Sequence, residues 1–249
     1  MTTPSTRTQV LPRHWRYAPL AVAFAALLAL VGMTAPSAGA QDATETPVVV
    51  GVLATPAAAL DCAALAADPA NAPSVVYQID ATASEARYRV NEELRGVGAT
   101  EAVGKTNAMI GQVSLDAEGA PMACSRFDVD MRTLKSDESR RDNYLYGNTL
   151  QTEQFPLATF VLSSVEGMDA ALVEGEETTI TLIGDLTLHG VNKLVAWQAV
   201  VTLEGDAITG TASTEFQMPE FDITPPKAGP VVSLEETVKL ELDLTLKKA

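Results

Sequence analysis

The chain has 249 residues, which is enough for one or two domains, and it carries 32 acidic against 17 basic residues. At a net charge of −15 it would repel the phosphates of nucleic acid and of anionic membrane surfaces. Composition therefore argues against nucleic acid as a partner and against attraction to membranes through the overall charge.

The first 40 residues have the pattern of a secretory signal peptide. Three arginines precede an apolar run at residues 20–31, and an A-x-A sequence ends at Ala40. We therefore expect cleavage near Ala40, export to the periplasm or the cell exterior, and a mature chain with 14 basic and 32 acidic residues. An uncleaved anchor helix is the alternative, but the run is short for a bilayer span. No second apolar run of that kind follows, so we expect no stable membrane insertion after cleavage.

Residues 41–73 form the next segment, which is rich in Ala, Pro and Thr. It holds too little apolar sequence to bury a core, so we predict an arm or linker instead of a domain. Its Cys62 is one of two cysteines in the chain, and the other is Cys124. Export would allow a disulfide between them, which would tie the arm to the rest of the chain. Two unpaired buried thiols are the alternative.

Short runs of alternating apolar and polar residues fill the sequence from residue 74 onwards and indicate β-strands. The predicted strands are residues 74–80, 85–91, 109–116, 122–132, 159–165, 178–188, 191–201, 207–217 and 238–247. In the run 122–132, Phe127 points to one face and Cys124 to the other, which places Cys124 on the outside. The Gly-rich residues 91–105 are predicted to be a loop with a short strand, and residues 219–230 a loop or cover.

One polar helix is predicted at residues 136–150, with Ser136 or Asp137 as its N-cap and a glycine near its end. Arg140, Arg141 and Asp142 lie within this helix and could bind an anion. The stronger interpretation is that Arg141 and Asp142 form a salt-bridged clasp over one end of the domain.

The clearest pattern is a pair of strands, residues 178–188 and 191–201, joined by His189 and Gly190. A two-residue connection that ends in glycine predicts a tight primed turn, and this turn determines which residues face each other. The resulting register pairs Leu188 with Val191, Gly184 with Val195 and Leu182 with Trp197. Gly184 then leaves room for the Trp197 ring, and His189 lies on the outer or rim side in a turn-forming role.

Hairpin spacing between consecutive strands and the scarcity of helix predict an all-β domain with an antiparallel sheet at residues 74–249. A single sheet of eight or nine strands would curl, and closure would remove its exposed edges. We therefore predict a closed antiparallel barrel of eight or nine strands with one short helix. A β-sandwich is the rival, because periodicity alone does not distinguish the two folds.

The mature chain contains no recognisable catalytic or metal-binding motif. It has a single histidine, His189, and lacks both a G-x-S-x-G and a G-x-G-x-x-G sequence. One histidine and two distant cysteines are too few for a zinc or iron site, so no metal and no cofactor are expected. Most acids alternate onto the solvated faces of strands, so a hydrolase or isomerase built on acids and His189 is the weaker alternative.

Aromatic and aliphatic side chains make up the predicted inner face of the barrel. Eight strands enclose an interior just wide enough for one slender ligand. Four aromatic residues either line such a cavity or fill the core, and pattern alone favours neither interpretation; they are Phe127, Phe160, Trp197 and Phe216.

Three motifs between Val75 and Leu246 make the chain resemble the YceI-like family. The first is Tyr77-Gln78-Ile79-Asp80, at the start of the domain. The second is RTLKSDESRRDNYLYGNTLQTEQFPLATF, whose matching positions are Arg141, Asp142, Leu145, Leu150, Phe155, Pro156 and Phe160. The third is LTLHGVNK at residues 186–193. Their order and spacing extend over most of the mature chain.

The resemblance implies an extracytoplasmic carrier whose lipocalin-like barrel holds a polyisoprenoid, an isoprenoid quinone or another long-chain lipid. The side chains expected to line its cavity are Phe127, Val129, Met131, Phe160, Leu162, Leu182, Gly184, Leu186, Trp197 and Phe216. The family-motif residues expected to be structural are Arg141, Asp142, Phe155, Pro156, His189 and Gly190. A filled barrel that serves as a structural or protein-interaction module is the main alternative. The sequence leaves open whether the chain forms a homodimer.

Overall fold

The computed structural model describes residues 51–53, 61–168, 170–227 and 229–249. The predicted signal peptide, residues 1–40, and residues 41–50 and 54–60 of the predicted arm lie outside the described ranges. The strands are β1 (Gly51–Val52), β2 (Val75–Ile79), β3 (Glu85–Leu94), β4 (Gly98–Thr106), β5 (Met109–Leu115), β6 (Arg126–Asp130), β7 (Leu157–Glu166), β8 (Glu177–Leu188), β9 (Val191–Glu204), β10 (Ala207–Gln217), β11 (Val231–Leu234) and β12 (Thr237–Lys248). The α-helices are α1 (Cys62–Ala67) and α2 (Ser139–Tyr144), and no helix in the described ranges has the length and apolar character to cross a membrane.

Eight antiparallel strands close into a barrel. Each pairs with the next in the order β9, β8, β7, β6, β5, β2, β12 and β10, and β10 pairs with β9 to complete the ring. The prediction of a closed antiparallel barrel is confirmed. The rival β-sandwich is wrong, because two packed sheets would not form a continuous ring of paired strands.

Strands β3, β4 and β11 extend the barrel wall at one end, which we call the hairpin end. The last strand, β12, pairs with β2 near its C-terminus and with β3 near its N-terminus. β4 pairs with β3 along its whole length, and β11 pairs with the last residues of β3. The hairpin β3–β4 therefore stands out beyond the ring.

The hairpin β8–β9 has the predicted register, with Leu182 opposite Trp197, Gly184 opposite Val195 and Leu188 opposite Val191. His189 and Gly190 form the turn with φ angles of 53° and 77°, the left-handed conformations that this primed turn requires. Glycine adopts such angles freely, whereas a histidine there needs compensating contacts. The contacts that His189 makes are described with the site below.

Three stretches differ from the prediction. Residues 91–105 were expected to be mostly loop, but they belong largely to the β3–β4 hairpin, whose turn has Gly96 and Gly98 at positive φ. Cys124 is not on the outer face of a strand, because β6 begins only at Arg126 and Cys124 has a φ of 69° in the preceding turn. Strand β11 was not predicted, since its four residues show no alternation.

The polar helix is shorter than the predicted 136–150. It spans Ser139–Tyr144 and continues as a single π-helical turn, Leu145–Thr149. Its N-cap is Glu138, whose carboxylate accepts a hydrogen bond from the backbone N–H of Arg140. Ser136, one of the two predicted caps, instead donates its hydroxyl to the carboxylate of Asp142 at 2.6 Å.

The described part of the arm is attached to the barrel at two places. Strand β1 pairs with β9 at residues that β10 does not reach, so it covers an otherwise open edge. The backbone N–H of Leu53 donates to the carbonyl oxygen of Leu194 at 2.8 Å. Cys62, the first residue of α1, forms a disulfide with Cys124, and their Cα atoms are 5.6 Å apart.

The outer face of β3 and β12 carries a network of ion pairs centred on Glu241. Its carboxylate lies 2.8 Å from Arg89, 3.0 Å from Arg87 and 2.8 Å from the amine of Lys239. Hydrogen bonds from Arg89 and then from Lys239 lower the pKa of Glu241 to about 2. Because both arginines belong to β3, the network joins β12 to the extended hairpin.

We expect Glu241→Gln to lower the free energy of unfolding by about 1 kcal/mol at pH 7, since such partly exposed networks contribute modestly. A carboxyl with a lowered folded-state pKa stabilises the fold above its unfolded pKa of 4.5, and this contribution disappears as the pH falls through the folded value of about 2. The difference between variant and wild type should therefore persist down to about pH 5 and then shrink. Urea unfolding at several pH values measures it, and a difference independent of pH would contradict this account.

Candidate functional site

The barrel encloses a cavity of about 140 Å³, which we call cavity 1, at the hairpin end. The ring strands line it with Phe127, Val129, Ala158, Phe160, Leu186, Leu188, Trp197, Phe216, Val238, Leu240 and Leu242. The segment between β6 and β7 covers it with Leu134, Leu145, Thr149 and Leu150, and we call this segment the cover. Arg87 and Glu241 also border the cavity, but their charged groups pair with each other on the outer face. The cavity is therefore almost wholly apolar.

A second cavity of about 70 Å³, cavity 2, lies further along the barrel axis, away from the hairpin end. Its lining includes Leu162, Ile180, Leu182, Ala199, Val201, Ile208, Ala212, Leu244 and Leu246. Phe127 contributes to the walls of both cavities, so the two spaces meet at its ring. Together they form an apolar path through the barrel that Phe127 interrupts.

Aromatic rings form the layer where the cavities meet. Phe127 lies opposite Phe160 on the neighbouring strand, and the Phe160 ring packs edge-on against Trp197 with centroids 6.1 Å apart. A Cβ atom at Gly184 would lie 2.7 Å from Cζ of Phe160 and 2.3 Å from the carbonyl oxygen of Val161. Gly184 therefore makes room for the Phe160 ring, whereas the prediction had assigned this space to the Trp197 ring. Gly184 lies on the wall of neither cavity, contrary to the expectation that it leaves space for a ligand.

The structure divides the other predicted lining residues between the two cavities. On the wall of cavity 1 are Phe127, Val129, Met131, Phe160, Leu186, Trp197 and Phe216. On the wall of cavity 2 are Phe127, Leu162 and Leu182. Sequence reasoning placed the polar helix over one end of the barrel, but it missed that Leu134, Leu145, Thr149 and Leu150 line the cavity. It also missed Leu240 and Leu242, although the alternation along β12 could have identified these two. As ligand contacts, all of these residues remain predictions.

Three polar groups on the wall of cavity 1 have no hydrogen-bond partner among the described residues. They are the hydroxyls of Tyr88 and Thr149 and the indole N–H of Trp197. Burial raises the pKa of Tyr88, so its hydroxyl stays protonated and can donate. Unsatisfied buried polar groups are costly. The surface that faces cavity 1 is nevertheless almost wholly apolar, so the cavity suits a hydrocarbon chain.

Ion pairs fasten the cover to the barrel wall. Arg141 on α2 lies 2.8 Å from the carboxylate of Glu92 on β3 and 2.6 Å from that of Asp137. The carboxylate of Asp142 accepts hydrogen bonds from the backbone N–H and the hydroxyl of Ser136, at 2.9 and 2.6 Å. A clasp therefore exists, but the prediction that Arg141 and Asp142 form it with each other is wrong. Each of them is held by a different partner.

His189 packs beside the cover. Its ring meets that of Phe155 edge-on with centroids 4.8 Å apart, and its Nδ1 lies 3.1 Å from the carbonyl oxygen of Phe221. A Cβ atom at Gly190 would lie 2.5 Å from the Phe155 ring, so glycine permits this packing. The carbonyl of Pro156 accepts a backbone hydrogen bond from the start of the cover. His189 borders neither cavity, and within the described ranges no group of three or more His, Cys, Asp or Glu side chains could hold a metal ion.

The chain is a closed antiparallel barrel around an apolar interior, with a cover fastened over one end. The chain belongs to the YceI-like domain family, whose model matches residues 77–246. A UPF0312 protein of Shewanella oneidensis is 30% identical over 156 residues, which are 59% of this chain and 76% of that protein. A UPF0312 protein of Vibrio vulnificus is 27% identical over 187 residues, which are 72% of this chain and 91% of that protein.

Two solved structures share the fold. One is a polyisoprenoid-binding domain from Saccharophagus degradans implicated in plant cell wall breakdown, with a TM-score of 0.55 and 16% identity. The match covers 71% of this chain and 100% of that domain. The other is BcnA of Burkholderia cenocepacia, with a TM-score of 0.53 and 18% identity, covering 67% of this chain and 98% of BcnA. At this level of identity, both comparisons establish the architecture alone.

Proposed function

We propose that the protein holds a long apolar ligand inside its barrel: a polyisoprenoid, an isoprenoid quinone or a similar amphipathic lipid. The observation that carries this proposal is cavity 1, an apolar space of about 140 Å³ that the surrounding side chains leave unfilled. A core that served only to stabilise the barrel would pack more densely, because voids reduce stability. Cavity 2 continues in the same direction and offers space for a longer tail.

The chemistry of the wall supports a lipid as the ligand class. Covering about 500 Å² of lipid surface would supply on the order of 12 kcal/mol before the cost of ordering the ligand. Tyr88, Thr149 and Trp197 belong to this wall and have unpaired buried polar groups, which a ligand oxygen would satisfy if it reached them. The shared fold with a polyisoprenoid-binding domain points to the same class. A non-catalytic role accords with the packing of His189 against Phe155, outside both cavities.

Export is part of the proposal. The first 40 residues have the features of a cleavable signal peptide. The disulfide between Cys62 and Cys124 supports the same location, because such bonds persist mainly in oxidising compartments outside the cytoplasm. A carrier in this location would hold its ligand away from water between membranes or at the cell surface.

The direct test is native mass spectrometry of protein purified from its own host, followed by lipid extraction. We expect a bound species whose mass corresponds to a long-chain isoprenoid or a related lipid. Recovery of no lipid, together with no binding of long-chain polyprenol and quinone probes, would overturn the proposal. That outcome would favour a structural or protein-interaction module instead.

Ala158→Phe should weaken binding of a long-chain polyprenol by about tenfold or more, because the added ring occupies cavity 1. Val161→Phe is the matched control, since Val161 lies on the same strand but borders neither cavity. Titration with a fluorescent polyprenol analogue measures the affinity, and urea unfolding checks that both variants are folded. Equal affinities of the two variants would remove cavity 1 from the proposed site.

A further inference from the structure

Two chain segments meet at the outermost point of the hairpin end. They are the turn of β3–β4, residues 94–98, and the start of β11, residues 230–232, and we call them the apolar tip. Leu94 lies opposite Val231, and the backbone N–H of Arg95 donates to the carbonyl oxygen of Pro230 at 2.8 Å. These contacts make the two segments one surface.

The apolar tip exposes two valine side chains to solvent. Val97 is 74% exposed and Val232 is 57% exposed. Val97 follows Gly96 in a tight turn that is closed by a hydrogen bond from its own backbone N–H to the carbonyl oxygen of Leu94. Val232 is the extra residue where the pairing register of β11 with β3 shifts. Backbone geometry therefore holds both side chains outward.

The charge of the apolar tip is opposite to that of the whole chain. Residues 94–100 and 223–234 contain no acid, although the chain has 32. The only charged residue within the apolar tip is the exposed Arg95; the exposed Lys227 lies three residues before Pro230 in the chain, and the exposed Glu93 directly precedes Leu94. A phosphate-bearing surface that the rest of the protein repels can therefore approach here.

Both segments of the apolar tip are also connected along the chain to residues on the wall of cavity 1. Val90 on β3 borders the cavity, and Leu94 follows four residues later, about 13 Å along an extended strand. The other segment follows Ile223 in the chain, and Ile223 borders the same cavity. A surface that touched the apolar tip would therefore lie next to the cavity.

We propose that the apolar tip docks the protein on a phospholipid bilayer. Val97 and Val232 enter the interfacial region, and Arg95 approaches the lipid phosphates. Two small apolar side chains and one cation give a weak and reversible contact, which suits a carrier that must leave the membrane again. The inference rests on the proposed function, because docking places cavity 1 where a lipid ligand would be taken up or released.

The test compares the mature protein with a Val97→Asp/Val232→Asp variant. A fluorescent polyprenol analogue is placed in phosphatidylcholine vesicles containing phosphatidylglycerol, and the rate of its transfer to the protein is followed. We expect transfer about fivefold slower in the variant, with unchanged affinity for the analogue in vesicle-free solution. The transfer rate of a Val97→Ser/Val232→Ser variant should lie between those of the wild type and the aspartate variant. This serine variant replaces the aspartate variant in the test if the aspartates disturb folding.

Val173→Asp is the matched control. Val173 is a 53% exposed valine in the β7–β8 connection, whose neighbour Leu172 borders cavity 2 at the other end of the barrel. Its replacement should leave transfer unchanged. Equal rates in the tip variant and the wild type, or slowing by Val173→Asp alone, would overturn the proposal.

A separate measurement distinguishes failure of docking from failure of lipid binding. Flotation of the ligand-free protein with the same vesicles reports docking alone, and we expect the wild type to float in larger amount than the tip variant. If the wild type does not bind the analogue in solution, the proposed function is contradicted. The flotation result then shows separately whether the apolar tip docks on the bilayer. Equal flotation of both proteins would overturn the docking proposal whatever the ligand result.

Discussion

Replacing Arg141 with methionine is expected to lower the free energy of unfolding by about 3 kcal/mol. Its partner on β3 is Glu92, whose side chain is only 3% exposed, while that of Arg141 is 20% exposed. Methionine keeps most of the unbranched stem but leaves a buried carboxylate without its cation. Removing one partner of such a pair costs more than the pair itself contributes, because the remaining charge stays out of water. Urea unfolding at pH 7 measures the loss.

The double variant Glu92→Gln/Arg141→Met should recover most of that loss, because it removes the buried charge together with its partner. Arg140→Met is the control, since Arg140 is the adjacent exposed arginine on the same helix and none of the described ion pairs includes it. Equal effects of Arg140→Met and Arg141→Met would contradict the role of the Glu92 pair.

The same pair connects stability to the site. Arg141 belongs to the cover, which lines cavity 1 with Leu145, Thr149 and Leu150. The cover is held by this buried ion pair and by two backbone hydrogen bonds between Lys105 and Lys135, so it can open locally at a smaller free-energy cost than the barrel can unfold. Arg141→Met should therefore increase amide hydrogen exchange of residues 139–150 more than that of β8 and β9.

The strands of the ring could be predicted from sequence because the patterns that specify them involve residues that are close together in the chain. In β8–β9 the two-residue turn at His189 and Gly190 determines the register, and the alternation identifies the inner face. The sequence of the β3–β4 hairpin has no comparable local pattern. Its inward-facing Glu92 reads as a solvated acid until Arg141, 49 residues later in the chain, supplies the partner. The contact that explains this residue is tertiary, so no local pattern contains it.

The cavity could not be predicted either, because it also depends on tertiary contacts. Alternation along the strands places Phe127, Phe160 and Trp197 on the inner face of the barrel, but it does not say whether their rings fill the interior. That depends on how rings from different strands pack, and here Gly184 makes room for the Phe160 ring against Trp197. The polar helix could be placed over one end of the barrel, but the side chains with which the cover lines cavity 1 could not be identified. Its backbone changes from a short α-helix to a π-helical turn and a loop, so no single period marks the inward side chains.

Phe127→Ala should have two effects, a loss of about 3–5 kcal/mol in the free energy of unfolding and a shift of ligand preference toward longer tails. The first follows because the ring is buried and packs in the core of the barrel. The second follows because Phe127 borders both cavities, so its removal would join them into one space. Affinities for polyprenols of increasing chain length, measured for the wild type and the variant, test the shift.

Phe216→Ala separates the two effects. Phe216 is also a buried phenylalanine, packed edge-on against Phe221 at a centroid distance of 4.8 Å, but it borders cavity 1 alone. Its replacement should lower stability to a similar extent while enlarging only the space that shorter tails already occupy. If Phe127 limits tail length, the ratio of long-chain to short-chain affinity rises in Phe127→Ala and stays near the wild-type value in Phe216→Ala. An equal rise in both variants would mean that total volume, and not the aromatic ring between the cavities, determines how long a tail the barrel accepts.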